Sequence, residues 1–173
     1  MSDLTYLIIL RFIHITCGIF WAGSIMYMAL FVQPAVKAAG PEGAKFVQTL
    51  AKTNKLPIVM MFAALLTIIA GVLLLWKLSD GFQSVYMSSK HGIILSIGGT
   101  FAIIAFLIGF TVNKPTVAKI AKMGQAIAAQ GAPPSPEQAQ QLAKLRKRLF
   151  AATNTVAVLL GLTVIAMSIV RYF

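Results

Sequence analysis

The sequence predicts an all-α integral membrane protein, a four-transmembrane-helix bundle with a cytoplasmic helical hairpin extension between helices 3 and 4. Three observations predict it. Of 173 residues, 58% are hydrophobic and only 11% charged, and the mean hydropathy is +0.84; a soluble domain carries about 25% charged residues. Four apolar runs, Leu4–Val32, Leu56–Leu78, Gly92–Val112 and Leu149–Tyr172, reach the ~20 residues that a bilayer crossing needs. The basic residues are also segregated by loop. Lys37, Lys45, Lys52 and Lys55 follow the first run, and Lys114, Lys119, Lys122, Lys144, Arg146, Lys147 and Arg148 follow the third.

The first run has no basic leader and no A-x-A cleavage site, so it reads as a span and not as a cleaved signal. The loop after it breaks at Pro34, Gly40-Pro41 and Pro57, and Ala44–Thr53 between those breaks reads as a short helix with Phe46, Val47 and Leu50 on one face. Such a helix suits the membrane interface. The second loop, Ser79–Lys90, is a short polar connection. Pro115 is expected to kink or end the third span. Thr116–Gln130 reads as helix, "GAPPSP" as a turn, and Ser135 as an N-cap with Pro136 behind it and Gln138 at the third helical position. From there Pro136–Tyr172 runs unbroken as one helix of about 55 Å.

Loops one and three share a side, so the positive-inside rule places them in the cytoplasm and both termini outside, as in a multi-pass protein of a bacterial-type inner membrane. Tyr6, Trp76, Phe82, Tyr86 and Tyr172 fall at the outer boundary, where amphipathic rings prefer to sit. The net charge of +11 is then a membrane feature that also attracts anionic lipid, not a nucleic-acid footprint. A single cysteine, Cys17, rules out an intrachain disulfide.

Intramembrane polar residues carry the functional reading. An ionisable group within a span is a functional candidate by default, and both histidines, His14 and His91, fall in the outer half of the predicted bundle. Neutral imidazoles on two helices suit the iron of one haem b per chain. They are too few for a closed zinc site. Gly18, Trp21 and Ala22 surround His14, while Leu95, Gly98, Ala102, Ala105 and Gly109 form a mostly small stripe below His91. Small residues admit a macrocycle, or equally let helices approach each other or a second copy of the chain. Arg11, one turn outward of His14, needs an anion where it is desolvated; no acidic residue lies in a span, and either a haem propionate or, if the side chain snorkels, headgroup phosphate supplies one. Lys90 is placed for the second propionate.

His14, Trp21, the Ala22-Gly23 pair and Tyr27, with Lys90-His91 opening the third span, resemble HemJ-type protoporphyrinogen oxidases and the broader CopD-like membrane proteins. That resemblance implies a helical bundle holding haem b through histidine, with His14 as axial ligand, and either porphyrinogen oxidation or copper handling. Read from the residues, two imidazoles closing a low-spin iron point to a bis-His cytochrome in electron transfer, with a quinone or an outer redox partner. Whether the chain is an enzyme is left open by these residues. The eight methionines and Cys17 keep a copper reading in view.

Overall fold

A computed structural model of the chain describes residues 3–52 and 55–173. Every element among them is helical: α1 Asp3–Tyr27, a π-helical turn Met28–Val32, α2 Gln33–Ala39, α3 Pro41–Lys52, α4 Leu56–Leu78, α5 Ser84–Met87, α6 Lys90–Ile108, a second π turn Gly109–Asn113, α7 Lys114–Ala129, α8 Pro136–Ile169 and a closing 3-10 turn Val170–Tyr172. Four continuous helices are long and apolar enough to cross a bilayer: Asp3–Ala39, Leu56–Leu78, Lys90–Ala129 and Pro136–Tyr172.

These four form an antiparallel bundle in which α1 packs most extensively on α4, and α6 on α8. Lesser contacts, α4 with α6 and α1 with α8, close the ring, so α1 and α6 stand at diagonal corners. Chain direction puts the N-terminus and the C-terminus at one end, the terminal end. The lysine-rich segments are at the other, the basic end. A 3.5 Å contact between Lys77 Nζ and Asp3 ties α4 to the start of α1 at the terminal end.

The core is built mainly from small residues. Ala63, Ala64, Ala102 and Ala105 meet around Trp21, Val156 and Leu160. Small side chains let helices pack closely where no hydrophobic driving force separates interior from lipid. Large apolar residues point the other way: Phe12 is 69% and Ile19 70% exposed. A soluble monomer rarely exposes such a belt, and the belt is compatible with a multi-pass membrane protein. Each helix pair also carries an interhelical hydrogen bond to a backbone carbonyl. His14 Nδ1 lies 2.8 Å from the Thr67 carbonyl oxygen, and Thr163 Oγ1 donates to the Gly98 carbonyl at 3.1 Å.

Neither proline ends its helix: the break expected at Pro34 is absent, and at Pro115, expected to kink or end the third span, the helix runs on. Each helix widens instead into a π turn just before the proline, with i→i−5 bonds from Gln33 N–H to Met28 O and from Lys114 N–H to Gly109 O. The physical reason is common to both. A helical proline removes one donor and its ring crowds the carbonyl four residues back. Those carbonyls, of Leu30 and Thr111, lie inside the π turns, where the wider winding relieves the clash. The first and third helices therefore run on toward the basic end for 37 and 40 residues in all, about 55 and 60 Å, well beyond a ~30 Å hydrocarbon core.

The short helix expected over Ala44–Thr53 is present as α3, starting earlier at Pro41; Thr53 lies outside the described residues. The third helix starts at Lys90, two residues before the apolar run, because Ser89 caps it by accepting from Gly92 N–H. α7 and α8 pack together as the hairpin extension. Its turn is fixed by a full capping box: Gln138 N–H donates to Ser135 Oγ at 3.2 Å and Ser135 N–H donates to Gln138 Oε1 at 2.9 Å. Ser135→Ala removes half of that box and is expected to cost about 1 kcal/mol. Hydrogen exchange at the Gln138 and Ala139 amides should then quicken about fivefold, with the apolar part of α8 unaffected.

Candidate functional site

His14 is half-buried on α1, facing α4. Its seat is made by two α4 residues that the sequence did not single out. Thr67 spends its hydroxyl on its own helix, donating to the Ala63 carbonyl at 2.7 Å, and leaves its backbone carbonyl to the imidazole. Gly71, one turn further on, leaves that carbonyl uncovered and makes room for the ring. A Cβ built on Gly71 would come within 2.8 Å of His14 Cε1 and 3.0 Å of Nδ1. With Nδ1–H donating to Thr67, the lone pair belongs to Nε2, which has no hydrogen bond among the described residues. A nitrogen so oriented is a competent metal ligand.

Arg11 is exposed one turn toward the terminal end and has no ion pair among the described residues. All four acidic residues are engaged elsewhere, Asp3 with Lys77, Glu42 with Lys45, Asp80 with Gln83 and Glu137 with Ser135. Arg11 is thus a cation near His14 with no carboxylate from the chain.

The other sequence-selected residues are distributed differently. Lys90 and His91 are exposed in the first turn of α6. Trp21, Ala64, Ala105 and Val156 pack together in one core cluster and so mark one level of the bundle. From Trp21 to His14 is about 10 Å along α1, and from Ala105 to His91 about 21 Å along α6, at 1.5 Å per residue. The two histidines stand at levels about 10 Å apart, on diagonal helices. Gly18 and Gly98 both serve helix contacts. A Cβ on Gly18 would lie 3.4 Å from Thr67 Cγ2, and one on Gly98 would lie 3.1 Å from Ala166 Cβ and 3.2 Å from Met167 Cε. Trp21 is 5% exposed and belongs to the core. Cys17 is a half-buried free thiol packed against the same core. Among the described residues no three His, Cys, Asp or Glu side chains gather as a metal site.

A second feature lies toward the basic end. A cavity of about 260 Å³ opens among all four long helices, roofed by Val47 and Leu50 of α3. Its lining is aromatic, aliphatic and thioether, broken by Gln33, Asn113, Lys114 and Thr153. Gln33 Oε1 and Asn113 Oδ1 are buried with no hydrogen-bond partner among the described residues. Sequence reasoning missed both amides. The available signal was a parallel between two helix ends, "VQP" at Val32–Pro34 and "VNKP" at Val112–Pro115, each a polar amide set against an apolar run and followed by proline.

The fold therefore defines an all-helical protein with four helices of membrane-crossing length, an oriented imidazole between two of them and an apolar cavity among all four. Comparison with family models, with curated proteins and with solved structures finds no match to this chain.

Proposed function

We propose that this chain is a haem b-binding integral membrane protein in which His14 is an axial ligand, acting in electron transfer. The observation that carries the reading is the seat of His14: Nδ1 fixed by the Thr67 carbonyl at 2.8 Å, the ring packed on Gly71, and Nε2 left free. Metal-bound histidines almost always donate their other ring N–H to a carbonyl, a carboxylate or water, which fixes the tautomer and raises basicity at the ligating nitrogen. Arg11 supplies a cation on the same side for a propionate.

The residues fit the iron-ligand end of the group. Clearance for the macrocycle does not come from Gly18 or Gly98, whose open faces are covered by Thr67 and by Ala166 and Met167. When bound, haem supplies a one-electron couple; His14 positions it, and α4 holds His14. His91 does not fit as the second ligand in this structure, since it stands about 10 Å from the level of His14 on the diagonal helix, and the bis-His form of the proposal requires the start of α6 to move. In the membrane, the basic end faces the cytoplasm and the termini face outward, because Lys and Arg concentrate in the segments joining spans one to two and three to four. Electrons then pass on the outer side, to quinone or an outer redox partner.

The test is a reduced-minus-oxidised absorption spectrum of protein purified from a haem-replete host, with His14→Ala and His91→Ala beside it. A sharp Soret band and reduced α-band are expected, both lost in His14→Ala. Conversion to a high-spin spectrum in His91→Ala identifies a bis-His iron; an unchanged spectrum leaves His14 as the only imidazole ligand and removes the bis-His argument for electron transfer. A colourless wild-type protein makes the His14–Thr67 bond a plain helix clasp and sinks the proposal.

A further inference from the structure

We infer that α8 carries a site for one anionic phospholipid, its phosphate held by Lys144, Lys147 and Arg148 and an acyl chain lying along Ala151, Thr155 and Val158. The inference rests on the membrane reading above and not on haem. It goes beyond a general attraction of basic loops for lipid, because it names one face of one helix.

The three cations share that face. Positions i, i+3 and i+4 of a helix are neighbours, and Lys144, Lys147 and Arg148 hold those positions on α8. All three are exposed. The buried residues of α8, Thr153, Val156 and Leu160, lie on the opposite side at 3.6 residues per turn, so the triad points away from the bundle. Like charges so placed repel, and none of the three forms an ion pair among the described residues. Glu137 is on the same face but two turns away, about 10 Å, roughly a Debye length, and its carboxylate accepts from Ser135 Oγ. The face therefore lacks an anion. Phosphate oxygens take a bidentate guanidinium and ammonium groups together.

Depth selects a lipid as the source of the phosphate. Among the described residues Phe150, 42% exposed, is the last large apolar side chain exposed on α8 toward the basic end. Arg148, Lys147 and Lys144 follow it by about 3, 4.5 and 9 Å. The headgroup layer beyond the hydrocarbon is about 5–7 Å deep, and long basic side chains reach into it from either side. The triad is thus at the level of lipid phosphate.

The same face supplies the seat for the chain. Continuing along it by three or four residues at a time gives Ala151, Thr155 and Val158, all exposed. Thr155 spends its hydroxyl on the Ala151 carbonyl at 3.1 Å, so the strip shows carbon to the lipid, and two small side chains keep it shallow just above the cations. A second copy of the chain is a poor occupant, since it brings a net charge of +11 and only four acidic residues against the triad.

Two charge-matched triple variants separate this site from the basic character of the whole end. The first, Lys144→Gln, Lys147→Gln and Arg148→Gln, removes the triad. The second, Lys119→Gln, Lys122→Gln and Arg146→Gln, removes three exposed cations at comparable levels of the hairpin but off this face. The full-length proteins in neutral detergent are offered equimolar dioleoyl phosphatidylglycerol and dioleoyl phosphatidylcholine, and the first bound lipid is identified by native mass spectrometry. Wild type and the second variant are expected to prefer phosphatidylglycerol about tenfold, and the triad variant to show no preference. A preference kept by the triad variant, or lost equally in both variants, would overturn the inference in favour of diffuse attraction. No preference in the wild type would leave the triad to an acidic protein, and displacement by equimolar glycerol phosphate, which has no chain, would make it a free-phosphate site; either result overturns the lipid assignment. Wild-type protein that stays monodisperse without detergent would instead remove the membrane reading on which the site rests.

Discussion

Gly71→Ala is expected to empty the protein of haem while leaving every proposed ligand in the chain. The added methyl would sit 2.8 Å from Cε1 and 3.0 Å from Nδ1 of His14, distances that real Cβ contacts do not sustain. The imidazole must then swing off the Thr67 carbonyl, giving up a bond worth about 1 kcal/mol and, more importantly, the orientation that frees Nε2. Overpacking of this kind costs about 1–3 kcal/mol in its own right. Haem content per chain, from the pyridine haemochrome, should fall at least tenfold, close to that of His14→Ala. Gly23→Ala is the control, because a Cβ there has nothing within 4 Å. Wild-type haem content in Gly71→Ala would mean that the ring is not held where α4 places it.

The second large effect concerns the start of the third long helix. Gly92 is buried under α5, and a Cβ on it would collide with the Tyr86 carbonyl oxygen and lie 2.8 Å from Met87 Cα. Both are backbone atoms, which cannot rotate aside as a side chain can. Gly92→Ala must therefore push α5 off α6 and disturb the Ser89 cap, at a cost of about 1–3 kcal/mol. Gly99→Ala on the same helix meets nothing within 4 Å and should stabilise by roughly 0.5–1 kcal/mol through better helix propensity. Unfolding midpoints of the two variants in detergent should thus move in opposite directions. Equal midpoints would contradict the close seating of α5 on α6.

The architecture was legible because length and hydropathy decide it. Runs near 20 apolar residues and a Ser135–Gln138 capping signature leave few alternatives, and the four long helices and the α7–α8 hairpin follow from them. The π turns were not legible. Proline normally marks a break, and whether a helix stops or widens there depends on packing partners: α2 continues because it lies against α3, and α7 because it lies against α8. Of the site, His14 and Arg11 stood out as polar residues in an apolar run. Their setting did not, because it comes from α4, over fifty residues away, through a backbone carbonyl and a glycine that carry no chemical signature of their own. Gly18 and Gly98 illustrate the converse ambiguity. A small residue offers space, and only the neighbouring helix shows that Thr67 fills it in one case and Ala166 and Met167 in the other.

The most direct measurement is chemical rescue. In His14→Gly, expressed in a haem-replete host, the reduced α-band should be absent, and imidazole added to the purified protein with free haem should restore it at millimolar concentration, because the ligand returns to the space the side chain left. A His14→Gly protein that keeps its full haem complement without imidazole would contradict the assignment of His14 as the ligand.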